Sequence, residues 1–152
     1  MSNANVVTTP TPPWPDSGSG AGRDLFCVED IEPDGAEVVG RLSAVQAVAR
    51  RLITDQGTLL PAWPGDRESD GYGFNLRNYL NGDIGPRELA EVASAVELQA
   101  TAEETIASAT ATVTHVHGAL TVSLVLQDRR GPFSSVITVT DDALIPLVVG
   151  GV

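Results

Sequence analysis

From Ile106 onward the chain reads in steps of two, and that period restricts the fold more than any other feature. Thr110, Thr112 and Thr114 fall on one side of the alternation, Ala109, Ala111 and Val113 on the other. Leu120, Val122, Leu124 and Leu126 repeat the pattern, as do Phe133, Ser135, Ile137 and Val139. A strand turns successive side chains to opposite faces, and β-branched residues suit a pleated surface, so this third of the chain predicts strands. His117-Gly118 and Asp128-Arg129-Arg130-Gly131-Pro132 are the turns between them. Residues 143–149 read as a fourth strand. Pro146 has no N–H to give to a ladder, so that strand is expected at an edge.

The residues before this region follow a helical period. Leu42, Val45, Ala49, Leu52 and Ile53 recur at three- and four-residue steps, which predicts a helix from about Val39 to Thr54. Arg50 and Arg51 lie in its last turn, where cations suit the negative end of the dipole, and Gly57 is a natural stop. Phe74, Leu76, Tyr79 and Leu80 suggest a short helical turn closed by Asn81-Gly82. A second helix opens at Pro86, well suited to a first helical position, and runs through Leu89, Val92, Ala93 and Val96 to about Ala100. Helices followed by an antiparallel meander make an α+β fold, with two helices packed on one face of a small sheet. At about 25 cal/mol per Å² of apolar surface buried, that interface is expected to supply most of the stabilisation.

Residues 1–23 read as a flexible arm and residues 24–152 as the folded domain. Pro10, Pro12, Pro13 and Pro15 favour extended geometry, and Ser17-Gly18-Ser19-Gly20 is a loose linker. Trp14, isolated among those prolines, is a candidate anchor on a partner surface. Residues 24–28 read as an extended lead into the core, and an acidic loop follows. Cys27, the single cysteine, reads as a small buried hydrophobe and has no internal disulfide partner.

Charge and motif narrow the function classes. The net charge is −11, with 17 acids and 7 arginines in residues 1–104 against 3 acids and 2 arginines in residues 105–152. A phosphate backbone needs an excess of cations, so nucleic acid is not an expected partner; a basic protein surface stays open. The N-terminus lacks a signal-peptide pattern, and no apolar run is long enough for a bilayer. His115 and His117, two apart on one strand, are expected on one face, but no further Cys or His completes a metal set. Glu103 and Glu104 are adjacent on a helix and so do not face each other. Asp141-Asp142 reads as turn chemistry. Gly71-Tyr72-Gly73 is too short for a phosphate loop, and no Gly-x-Ser-x-Gly elbow occurs. No catalytic, metal-binding or cofactor-binding residue is assigned, and a non-catalytic role is expected.

One stretch without obvious chemistry is nonetheless highly specified. Arg51-Leu52-Ile53-Thr54 is followed at the third position by Gly57, and after a Pro/Gly-rich loop comes Gly71-Tyr72-Gly73-Phe74-Asn75-Leu76. Upstream stand Gly22-Arg23-Asp24-Leu25 and Gly40; downstream come the second helix and the strands. In order and spacing, over roughly residues 22–145, this layout resembles the sheath-initiator family of baseplate wedge proteins in contractile phage tails and related injection systems. Asp55 stands where the family has proline.

The resemblance implies a structural component rather than an enzyme, carrying a handshake-like fold similar to that of the sheath subunit. It implies other wedge subunits, the central hub or spike and the first ring of sheath subunits as partners, in a six-fold assembly. It also implies a location in the tail baseplate, or in an injection particle, assembled in the bacterial cytoplasm. The first sheath ring would add by strand augmentation, and the strands between Ile106 and Val149 are expected to provide the edge, with Val136, Ile137 and Leu147 at the contact. Arg51, Thr54, Tyr72 and Phe74, with Gly57, are expected to clamp the first helix to the following loop and form a dock for wedge helices. Some members of the family carry a lysozyme label, but a glutamate followed nine residues later by aspartate, as in one group of phage lysozymes, does not occur here. A peptidoglycan-degrading enzyme and a free-standing small binding module remain the alternatives.

Overall fold

The structure is a computed structural model and describes residues 23–25, 37–61, 63–65 and 71–151. Residues 1–22 of the N-terminal arm, with Trp14, as well as Cys27 and the acidic loop, lie outside the described residues, while Arg23, read as the end of the arm, is in a strand. Two short strands, β1 (Arg23–Leu25) and β2 (Glu37–Val39), pair antiparallel and lead into helix α1 (Arg41–Arg51). A 3₁₀ turn (Leu76–Tyr79) precedes helix α2 (Pro86–Thr101). Four strands follow: β3 (Ser108–Val116), β4 (Ala119–Asp128), β5 (Gly131–Val139) and β6 (Leu144–Gly151). They form one antiparallel meander in chain order, β3-β4-β5-β6, so β3 and β6 are its edges.

The period-two pattern decides which side of the sheet is dry. Leu120, Val122, Leu124 and Leu126 of β4 and Phe133, Ile137 and Val139 of β5 are buried on one face. α2 packs against β3 and α1 against β6, so the two helices cover that face together. Val45, Val48 and Ala49 of α1, Leu52 just after it, and Val92, Val96 and Ala100 of α2 complete a single core. This is the expected α+β arrangement. The β3–β4 connection turns through His117 (φ 51°) and Gly118 (φ 75°), the two left-handed residues of a type I′ hairpin. His117 thus sits in the turn and not on the strand. The expectation that it shares a face with His115 is corrected on that ground. His115 is half-buried and donates from Nε2 to the Leu80 carbonyl, 2.8 Å away.

α1 is shorter at both ends than its apolar period predicts. It starts after Gly40, whose φ of 63° places it outside the helical region. It stops at Arg51 because its last carbonyls find partners from elsewhere. A helix leaves four C=O groups without intrahelical donors. Here the Arg51 carbonyl accepts from Phe74 N–H (2.8 Å) and the Leu52 carbonyl from Leu76 N–H (2.9 Å). The Thr54 hydroxyl donates to the Arg50 carbonyl at 2.7 Å. α2 matches its predicted span to within a residue, with Pro86 at the N-terminal end and Glu88 in its first turn.

Candidate protein-docking site

Two regions combine specified geometry with exposed surface. The first is where α1 and α2 both end. The Arg51 guanidinium lies over the Tyr72 ring, 4.3 Å from its centroid, and pairs with the Glu103 carboxylate. Burial, partly offset by Arg51, pushes the Tyr72 hydroxyl pKa up. Phe74 stacks on Tyr79 with centroids 5.5 Å apart. Gly73 (φ 102°) passes so close to α1 that an added Cβ would stand 2.5 Å from the Thr54 carbonyl oxygen. Opposite it, the buried side chain of Gln99 on α2 accepts from Gly73 N–H (3.1 Å) and donates to the Gly71 carbonyl (2.9 Å).

Arg51, Thr54, Tyr72 and Phe74 therefore do come together, as the sequence suggests. Gly57 (φ 83°) is a left-handed turn residue after α1, and a Cβ added there would meet nothing within 4 Å. Gln99 was not evident from sequence, since a glutamine on a helix carries no signal of which backbone it will meet. Beside the clamp lies a cleft of about 700 Å³, lined by Arg51, Glu103, Glu104 and the outward-facing Leu98, which is 69% exposed.

The second region is the β6 edge. Thr140 N–H donates to the Ala143 carbonyl at 2.8 Å, which makes that pair a hydrogen-bonded one. Antiparallel pairs alternate, so Thr138–Ile145 and Val136–Leu147 are bonded pairs too. Leu144, Pro146 and Val148 consequently turn their backbone groups away from β5. Pro146 occupies a position where no N–H is asked for within the sheet, the physical reason a proline is accepted there. Along this edge runs a groove of about 550 Å³ between β6 and Leu42 of α1, lined by residues 144–148. On the uncovered face, Ile145, Leu147 and Val149 are 52%, 56% and 65% exposed.

The expected contact residues divide accordingly. Leu147 lies on this edge strand. Val136 and Ile137 lie on β5, an interior strand paired on both sides. Ile137 is fully buried in the core, and Val136 is half-buried on the outer face as the cross-strand partner of Leu147. Neither belongs to the edge. Proline at either position would break the sheet itself.

The opposite edge is different. His117-Gly118 closes the β3–β4 hairpin, so Val116–Ala119 is a bonded pair, and by alternation Ala111 points its N–H outward. That N–H donates to the Glu97 carboxylate of α2 at 2.8 Å.

Among the described residues no three of His, Cys, Asp and Glu converge as a metal-binding group. No described helix is long and apolar enough to cross a membrane. Compared with known proteins, the chain matches no protein family model, no curated protein and no solved structure.

Proposed function

We propose that this chain is a non-catalytic baseplate wedge component of a contractile tail or related injection system, and that it receives a strand from the first sheath ring at β6. The observation that carries the reading is the β6 edge: outward backbone groups at Leu144, Pro146 and Val148 beside an apolar groove. Such an edge is a template for strand addition. The order of the Arg51-to-Gly57 and Gly71-to-Leu76 motifs supports the assignment to a sheath initiator in particular. In this reading the clamp at the ends of α1 and α2, with Leu98 exposed beside it, faces the other wedge subunits and the hub. The acidic surface suits basic partners.

Imaging of particles from cells lacking the gene tests the assembly role. Naked tubes or incomplete baseplates are expected; intact sheathed particles would return the enzyme and binding-module readings to the front. Val148→Pro tests the edge. It deletes an N–H that the sheet does not use, so the fold is kept while sheath recruitment is lost. Normal sheathed tails from a folded V148P variant would sink the strand-addition step.

A further inference from the structure

The two edges of this sheet are not equivalent, and the difference says what can bind and how many times. The geometry points to a single-acceptor sheet: β6 takes one extended segment from a different protein, while Glu97 closes β3 and Pro146 prevents two copies of the chain from pairing with each other. This deepens the strand-addition reading above and rests on it for the choice of β6.

On β3 the outward N–H at the middle of the strand already has a charged acceptor, 2.8 Å away on α2. An incoming strand would have to displace that carboxylate and leave it without the donor. Charge-assisted bonds of this kind are about twice as strong as neutral ones, so β3 is a poor template. An inward-reaching charge is a known way to blunt an edge.

On β6 the outward groups of residues 144–148 number five, because Pro146 supplies a carbonyl and no N–H. Any two-fold pairing of β6 with a second copy sets Pro146 against Pro146, Leu144 or Val148 of that copy. Symmetry then counts the missing donor twice, and two bonds are forfeited. A segment from another protein forfeits one. The net charge of −11 on each copy adds repulsion to self-pairing.

The remaining chemistry describes the occupant. Leu42, Leu144 and Pro146 present an apolar floor, so every second residue of the segment is apolar. Asp141 and Asp142, both exposed in the β5–β6 turn, lie at one end of the groove. A segment carrying an arginine or lysine at that end complements them.

Amide hydrogen exchange by NMR on the full chain tests this. The probe is a soluble eight-residue peptide alternating valine with threonine and ending in arginine. In the chain alone, Leu144 and Val148 amides are expected to exchange freely and Ala111 to be protected. The peptide should slow Leu144 and Val148 by about tenfold or more, the scale of one hydrogen bond, and leave Ala111 unchanged. Glu97→Ala should release Ala111 by a similar factor and let the peptide slow it. Pro146→Val should sediment as a dimer at concentrations where the parent is a monomer. Protection of Leu144 and Val148 without peptide would overturn the proposal. In a monomer it would mean the chain's own residues fill the edge, in a dimer that a second copy does. So would a peptide without effect, or an Ala111 amide indifferent to E97A. Intact particles from the gene deletion would sink the baseplate reading and leave this one standing.

Discussion

At the scale of single residues, the most constrained position is Gly73. Its φ of 102° is open to glycine alone, and a Cβ there would meet the Thr54 carbonyl at 2.5 Å, a backbone atom that cannot swing aside. Gly73→Ala therefore combines backbone strain with overpacking and should cost about 3 kcal/mol or more, read as a lower denaturation midpoint at unchanged slope. Wild-type stability in that variant would mean the segment has room the structure denies it. The second such residue is Asp128, whose side chain is only 2% exposed. It accepts Arg41 Nε at 2.9 Å and a second guanidinium nitrogen at 3.2 Å, as well as Arg130 N–H at 2.8 Å. The Arg41 guanidinium also lies over Phe133, 4.6 Å from the ring centroid. The Arg41 hydrogen bond, opposed by burial, holds the Asp128 carboxyl below the usual carboxylate range. A depressed carboxylate contributes stability above its unfolded value of about 3.9, and that contribution is lost as pH falls towards the folded value. The melting temperature should thus decline on acidification below about pH 5. Asp128→Asn should be about 1.5–3 kcal/mol less stable at neutral pH, the scale of hydrogen bonds to a charged group, and show a flatter acid limb. An acid limb identical in both proteins would remove Asp128 from the account.

At the scale of elements, the question is what ends α1 and holds the following segment against it. The carbonyls of Arg51 and Leu52 are met by Phe74 and Leu76, more than twenty residues later, and the Gln99 amide grips Gly71 and Gly73 from the other side. Gln99→Ala leaves the buried Gly73 N–H without its acceptor, while the exposed Gly71 carbonyl can turn to water, and costs about 1–3 kcal/mol. Tyr72→Ala removes the ring beneath Arg51 and costs about 0.5–2 kcal/mol. Thermal melts of both variants should fall below that of the parent, and an unchanged melt for Gln99→Ala would show that the amide does not hold the segment. This also explains what was legible in sequence. Periodicity reports which face of α1 is apolar, and Leu42, Val45, Ala49 and Leu52 are on it. It does not report where the helix stops, because that depends on hydrogen bonds from a segment far along the chain. Strand existence, the hairpin at His117-Gly118 and the edge position of Pro146 were readable, since each follows from a local rule. That Val136 and Ile137 sit on an interior strand follows from strand order, which alternation alone does not encode. The roles of Gln99 and Glu97 come from pairing across elements and leave no trace in their own neighbourhoods.

At the scale of the whole molecule, both helices lie on one face of the sheet, and the other face keeps Val125, Ile145, Leu147 and Val149 in the open. Among the described residues nothing pairs with the outer side of β6, and an apolar band beside such an edge is what the strand-addition proposal requires. Removing β6 shifts the edge inward. A chain ending after Thr140 would leave the outer side of β5 unpaired and uncover the side chains that β6 now protects. Light scattering should register aggregation of that fragment under conditions where the full chain is clear. A soluble, monodisperse fragment would mean that β6 is dispensable to the fold.

The meander runs strictly in chain order, so β6 is the last strand of the sheet to leave the ribosome. The surface proposed for the partner therefore does not exist until β6 has been made. Until Leu144–Gly151 has emerged and settled beside β5, an incoming segment has only an unfinished sheet to meet. If the strand-addition proposal holds, order of synthesis acts as a timer: recruitment of the neighbour waits until β6 is in place.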